Sequence, residues 1–201
     1  MKKWQAFFLI SFLAVLPLQA QIYHAGEENT TGASHRNWVE LSAAGTRSFY
    51  TLQDGGNYTQ LSHQDGLSAR ALWLITPNIG LGLEGTWFEK EKSIPFVSSY
   101  KMRRYGVIGK WILTPDTAPK AYLLAGVGRT KRQFSYEFPL SEEKKTNYYL
   151  AGIGLDVTLW RNLFAAAEVT AVYNAHATTG NFYHLKHRWE TNASLRAGVR
   201  F

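Results

Sequence analysis

From Trp38 to its last residue the chain alternates apolar and polar positions with a period of two, and almost no stretch carries a 3.6-residue period. Successive strand side chains point to opposite faces, so each such stretch predicts a strand with one apolar and one polar face. The last is the clearest. Trp189, Thr191, Ala193, Leu195, Ala197, Val199 and Phe201 share one face; Arg188, Glu190, Asn192, Ser194, Arg196, Gly198 and Arg200 share the other. Upstream, the apolar faces run through Val39–Ala43, Leu67–Ile75, Ile79–Trp87, Tyr105–Leu113, Ala121–Val127, Tyr149–Leu159 and Ala165–Tyr173, each on odd-numbered residues. The pattern predicts eight strands.

The connections alternate in length. Thr76–Asn78, Thr114–Pro119 and Arg161–Asn162 are short; the segments near 50–66, 89–99, 134–146 and 175–187 are longer, polar and expected to be loops. Short turns on one side and long loops on the other match an up-and-down antiparallel barrel crossing a membrane, with both termini on the short-turn side. The expected fold is all-β, an eight-stranded antiparallel up-and-down transmembrane β-barrel over residues 38–201.

Alternation alone does not say which face points out, since a soluble barrel alternates too. Charge helps. On the polar face Glu40, Glu84, Asp156, Glu168 and Glu190 stand against Arg70, Arg104, Lys110, Arg188, Arg196 and Arg200. Buried charges persist when paired, and this set is nearly balanced in sign, so it predicts an interior ion-pair network and an apolar exterior. Aromatics help as well. Trp73, Trp111 and Phe201 fall near one end of the apolar faces; Trp87, Tyr149, Tyr173 and Trp189 fall near the other. From Trp189 to Phe201 the strand spans roughly 30 Å at ~3.3 Å per residue and a ~40° tilt, enough for an apolar band of ~25 Å with its aromatic girdles.

The N-terminus reads as an export signal. Lys2 and Lys3 precede the thirteen-residue apolar run Ala6–Leu18, and Ala20 offers a cut before Gln21. That run is short for a spanning helix, which needs about 20 apolar residues. Residues 1–20 are expected to be removed, and 21–37 to form a flexible leader. The formal charge of +7 loses Lys2 and Lys3 on cleavage, leaving +5. Cysteine is absent, which excludes disulfides, thiolate metal sites and a cysteine nucleophile.

The signal run, the eight alternating strands, the turn rhythm and the final "SLRAGVRF" (Ser194–Phe201) resemble the small outer-membrane barrels of the OmpA/OmpX kind. The resemblance covers residues 38–201. It implies an outer-membrane location in a Gram-negative-type envelope and a C-terminal aromatic strand read by the barrel-assembly machinery.

Other constellations weigh less. "GLGLEG" (Gly80–Gly85) matches a dinucleotide fingerprint, but it lies inside an alternating strand with no helix after it. Its glycines are read as room for neighbouring arginines. His176, His184 and His187 match no zinc spacing. Lipid A deacylases of the PagL kind are similar eight-stranded barrels, and by resemblance carry His-x-Ser-Asn on the penultimate strand and Glu on the last. Here His176, Thr178, Thr179 and Glu190 stand at those places, with threonine replacing both the serine and the asparagine. No catalytic, cofactor-binding or metal residue is assigned, and no cofactor is expected. A narrow porin-like channel is the other alternative to a structural, surface-interacting, non-catalytic role, but an eight-stranded barrel is just wide enough for side chains to fill and its bulky charged interior argues for a plug. Expected partners are outer-membrane lipid and lipopolysaccharide, through outward Arg103 and Arg129 and loop residues Lys144, Lys145 and Lys186. The assembly machinery and an unknown extracellular ligand complete the set. Nucleic acid is not expected, because export separates it from the chain.

Overall fold

The computed structural model describes residues 39–54, 59–89, 97–137, 140–176 and 183–201. The expected signal peptide and leader lie outside the described residues. Among the described residues nine strands form: β1 (Val39–Asp54), β2 (Thr59–Thr76), β3 (Ile79–Phe88), β4 (Val97–Ile112), β5 (Lys120–Tyr136), β6 (Ser141–Trp160), β7 (Leu163–Asn174), β8 (Tyr183–Leu185) and β9 (Trp189–Arg200). Eight of them are long, and each pairs antiparallel with its neighbours in order; β9 returns to β1. The short β8 pairs with the outer end of β1 at Leu52–Asp54.

The ring of hydrogen bonds is complete. At the seam Val39 N donates to Phe201 O at 3.2 Å and Phe201 N donates to Val39 O at 2.9 Å. Stepping across the register, Leu41, Ala71, Leu83, Val107, Val127, Tyr149, Tyr173 and Trp189 are partners in turn. Trp189 stands two residues before Thr191, the partner of Phe49, so it faces Thr51, ten residues on from Leu41. Eight strands with a ten-residue stagger require a tilt of about 40°, from a strand spacing of ~4.8 Å and a rise of ~3.3 Å per residue.

The apolar face points outward. Trp73 and Leu83 are 66% exposed and Ile153 is 62% exposed. A continuous wall of that kind would aggregate in water and suits lipid, where a closed ladder satisfies every backbone group. The fold is an eight-stranded transmembrane β-barrel. Exposed Trp87, Tyr105, Tyr149 and Trp189 ring its outer margin, and Trp73, Trp111, Trp160 and Phe201 ring the opposite one. Trp160 joins the ring through a register shift between Thr158 and Trp160 that turns it outward.

Two expectations change. The segments 50–66 and 134–146 are largely strand, because β1, β2, β5 and β6 run on past the outer aromatic ring. Beyond the lipid the outer face turns polar and the apolar residues move inside. Tyr50, Leu52, Tyr100, Met102, Phe134 and Tyr136 form an interior cluster that Leu185 of β8 completes. The inner-face glycines of "GLGLEG" do not make room for arginines: a Cβ on Gly80 would stand 3.0 Å from Leu74 Cδ2, and one on Gly82 would meet the backbone of Ala71 and Leu72 on β2.

Candidate functional site

The inward face carries three levels of charge. At the short-turn end, Lys110 Nζ lies 3.1 Å from Glu40 Oε2 and 3.0 Å from Asp156 Oδ2. Arg200 holds the same two acids, with Nε 3.2 Å from Glu40 Oε2 and Nη2 2.8 Å from Asp156 Oδ2. The rings of Tyr122 and Phe164 cover these cations, at 4.3 Å from Lys110 Nζ and 4.2 Å from Arg200 Cζ.

At mid-barrel Arg70 grips Glu168 with two hydrogen bonds, 2.6 and 3.0 Å, and reaches Glu84 through Nε at 2.7 Å. Arg196 Nη2 donates to the same Glu84 Oε2 at 2.9 Å, and Tyr122 Oη donates to Glu168 Oε1 at 2.8 Å. The level thus ties β2, β3, β5, β7 and β9 across the lumen.

At the outer level Arg104 and Arg132 both pair with Glu190, one on each carboxylate oxygen. Asn174 Nδ2 donates to Glu190 Oε1 at 2.6 Å, and Arg104 Nη1 donates to Asn192 Oδ1 at 3.2 Å. The interior network is therefore the expected one with a single exchange. Arg188 is exposed, outside β9, and donates to Tyr173 Oη at 3.0 Å; Arg132 takes its place inside. Alternation in the sequence runs on through Arg188, but the strand begins at Trp189. Arg132 sits in a segment polar on both faces, but it shares the parity of Tyr122, Leu124 and Thr130 on the inner face of β5.

Of the residues weighed for hydrolysis, Glu190 and His176 lie among the described residues. Glu190 is buried, and Arg104, Arg132, Asn174 and Ser48 take up its oxygens. His176 is exposed beyond the end of β7, with its backbone N donating to Thr146 Oγ1 at 3.2 Å. Thr178 and Thr179 lie outside the described residues.

The outer wall carries a second feature. Trp87, Arg103, Lys131 and Lys145 are register partners in turn across β3, β4, β5 and β6. Three cations thus stand side by side at the rim, all pointing outward. Arg129 lies one outward position below Lys131, opposite Tyr105. Glu143 bridges two of them, 2.6 Å from Lys131 Nζ and 3.3 Å from Lys145 Nζ. Six residues beyond Tyr149 along β6, it stands outside the lipid-facing band, and the hydrogen bond from Lys131 holds its carboxyl below the usual range. Arg103 and Arg129 have no ion-pair partner among the described residues. Lys186 is exposed as expected, whereas Lys144 turns inward, opposite Arg132.

No protein-family model matches the chain, and no curated protein matches it in sequence. Solved structures match in fold. Neisserial surface protein A (NspA) superposes with a TM-score of 0.64 at 12% identity, over 81% of this chain and 97% of its own. The N-terminal β-barrel domain of Pseudomonas aeruginosa OprF gives 0.54 at 18% identity, over 82% and 98%. The attachment invasion locus protein Ail of Yersinia pestis gives 0.52 at 15% identity, over 82% and 99%. The architecture is that of the small eight-stranded outer-membrane barrels.

Proposed function

We propose that this chain is a non-catalytic outer-membrane barrel that reinforces the envelope by holding phosphorylated glycolipid of the outer leaflet against its rim. The observation that carries this is the row Arg103–Lys131–Lys145. Like charges directly opposite on neighbouring strands destabilise a sheet, and Glu143 offsets only part of the repulsion. A lipid phosphate at that height supplies the missing negative charge through charge-assisted hydrogen bonds. Just below, Leu41, Ala69, Ala71, Leu83, Gly85 and Tyr105 line a shallow apolar groove in the outer wall. The groove suits an acyl chain whose phosphorylated head rests on Arg103 and Arg129.

A structural role fits the interior as well. Ion pairs and aromatic rings fill it, and the outer cluster from Tyr50 to Leu185 caps it. That filling speaks against a water-filled porin. The commitment of Glu190 to two arginines speaks against a PagL-like hydrolase.

The test is lipopolysaccharide retention. Wild-type protein and the Arg103→Ala/Arg129→Ala variant are purified under identical detergent conditions, and the bound bisphosphorylated lipid A is measured by mass spectrometry. Wild type retains it and the variant loses most of it; equal retention would reject the proposal. Lipid A from expressing cells keeps all its acyl chains if the chain is not a deacylase.

A further inference from the structure

The three interior levels differ in charge balance. The short-turn level has two bases, Lys110 and Arg200, on two acids, Glu40 and Asp156. Mid-barrel has two, Arg70 and Arg196, on two, Glu84 and Glu168. The outer level has two, Arg104 and Arg132, on Glu190 alone. Lys144, opposite Arg132, and Glu142, opposite Phe134, are only half-buried and, being opposite in sign, add no net charge. The outer level therefore carries one cation in excess among the described residues.

That excess is enclosed. Arg104 is 5% exposed and Arg132 1%, and Tyr100, Phe134 and Met102, all fully buried, lie among the residues capping the level. An uncompensated buried charge is costly. A lysine relieves it by losing its proton, but arginine stays charged. The neutral neighbours only spread the charge: the Phe88 ring lies 5.3 Å from Arg104 Cζ, Met102 Sδ accepts from Arg104 Nη2 at 3.5 Å, and Tyr100 Oη accepts from Arg132 Nε at 3.1 Å.

Two donors at this level lack partners. Arg104 Nε and Thr130 Oγ are buried and make no hydrogen bond. Arg104 and Thr130 are register partners on β4 and β5, both turned inward, so the two donors project from adjacent positions of one wall. We infer that a small monovalent anion of the halide class binds inside the barrel beside Arg104 and Thr130, neutralising the excess charge of the outer level. Its ligands are Arg104 Nε–H and the Thr130 hydroxyl. It is held as a structural counter-ion, independently of any lipid on the outer wall.

Bromide is the probe. The barrel is unfolded by heat in a non-ionic detergent, in sodium bromide and in sodium gluconate at equal ionic strength, and its crystals are grown in bromide for anomalous diffraction. The expected results are a midpoint that rises by a few degrees and saturates with bromide, and an anomalous peak beside Arg104 and Thr130. In Arg104→Gln, which removes the excess charge, both disappear. Thr130→Val keeps the shape but removes one donor; it folds without the network change and needs at least several-fold more bromide for half the rise. Equal wild-type midpoints in the two salts would overturn the inference. So would a water in place of the peak, or a peak with no bromide dependence of the midpoint, which marks an adventitious ion only.

Discussion

Tyr122 packs its hydroxyl end against Gly154. A Cβ built on Gly154 would stand 2.3 Å from Tyr122 Cζ, and the same ring covers Lys110 while its hydroxyl donates to Glu168 at 2.8 Å. A hydrogen at position 154 thus lets one aromatic ring join the short-turn and middle ion-pair levels. Gly154→Ala is expected to displace the ring and destabilise the barrel by about 1–3 kcal/mol, as overpacking does. Gly109 provides the control, since the atom nearest to its added Cβ is 3.7 Å away. Urea unfolding in detergent micelles should separate the two variants; equal midpoints would mean the ring does not depend on the glycine.

Glu84 is shared by Arg70 and Arg196, whose nitrogens lie 2.6 and 2.9 Å from its Oε2. Removing it leaves two buried guanidinium groups with Glu168 as their remaining acid. Glu84→Ala and Arg196→Ala are each expected to lower stability by about 3–5 kcal/mol, the cost of breaking a buried pair. The double variant should lose less than the sum of the two, because the residues share one network. Strict additivity in the cycle would show that the pair is not coupled.

Much of this interior is legible in the sequence, for a physical reason. Where lipid lies outside, the outer face must be apolar, so Leu195, Ala197 and Val199 reveal by contrast that Arg196 and Arg200 point inward. Past the aromatic ring that constraint ends. Both faces of the outer segments carry polar residues, and the apolar ones, such as Tyr50, Leu52 and Phe134, move inside. The sequence there looks like loop while the backbone continues as a ladder. Arg132 is missed for this reason, and Arg188 is misplaced because parity does not reveal where a strand begins. The level at which Lys110 meets both Glu40 and Asp156 depends on the stagger of the barrel, which alternation does not encode.

Phe201 closes the ladder with its backbone while its side chain is 61% exposed on the lipid face. The two roles are separable. Phe201→Ala keeps both backbone hydrogen bonds to Val39, so the refolded barrel should keep its stability to within ~1 kcal/mol. If the aromatic end is the signal for the assembly machinery, the same variant should accumulate poorly in the outer membrane of cells. Normal assembly in cells would remove that role; a large loss of stability in vitro would show that the ring packs structurally.

Glu143 competes with lipid for the rim. It holds Lys131 at 2.6 Å and Lys145 at 3.3 Å, and neutralises part of a row that otherwise faces outward as cations. Glu143→Gln should therefore strengthen binding to vesicles containing bisphosphorylated lipid A, by roughly 3- to 10-fold at low ionic strength. The gain should shrink as salt shortens the Debye length from ~30 Å at 0.01 M to ~10 Å at 0.1 M. Acid is expected to mimic the substitution only late. Lys131 holds the carboxyl below its ordinary range, so the bridges persist as pH falls through that range and are lost below it. Wild-type affinity should then rise toward that of Glu143→Gln only at strongly acidic pH, provided the lipid phosphates stay ionised there. Binding that is unchanged by the substitution, or equally strong on dephosphorylated lipid A, would show that the row Arg103–Lys131–Lys145 does not meet a phosphate.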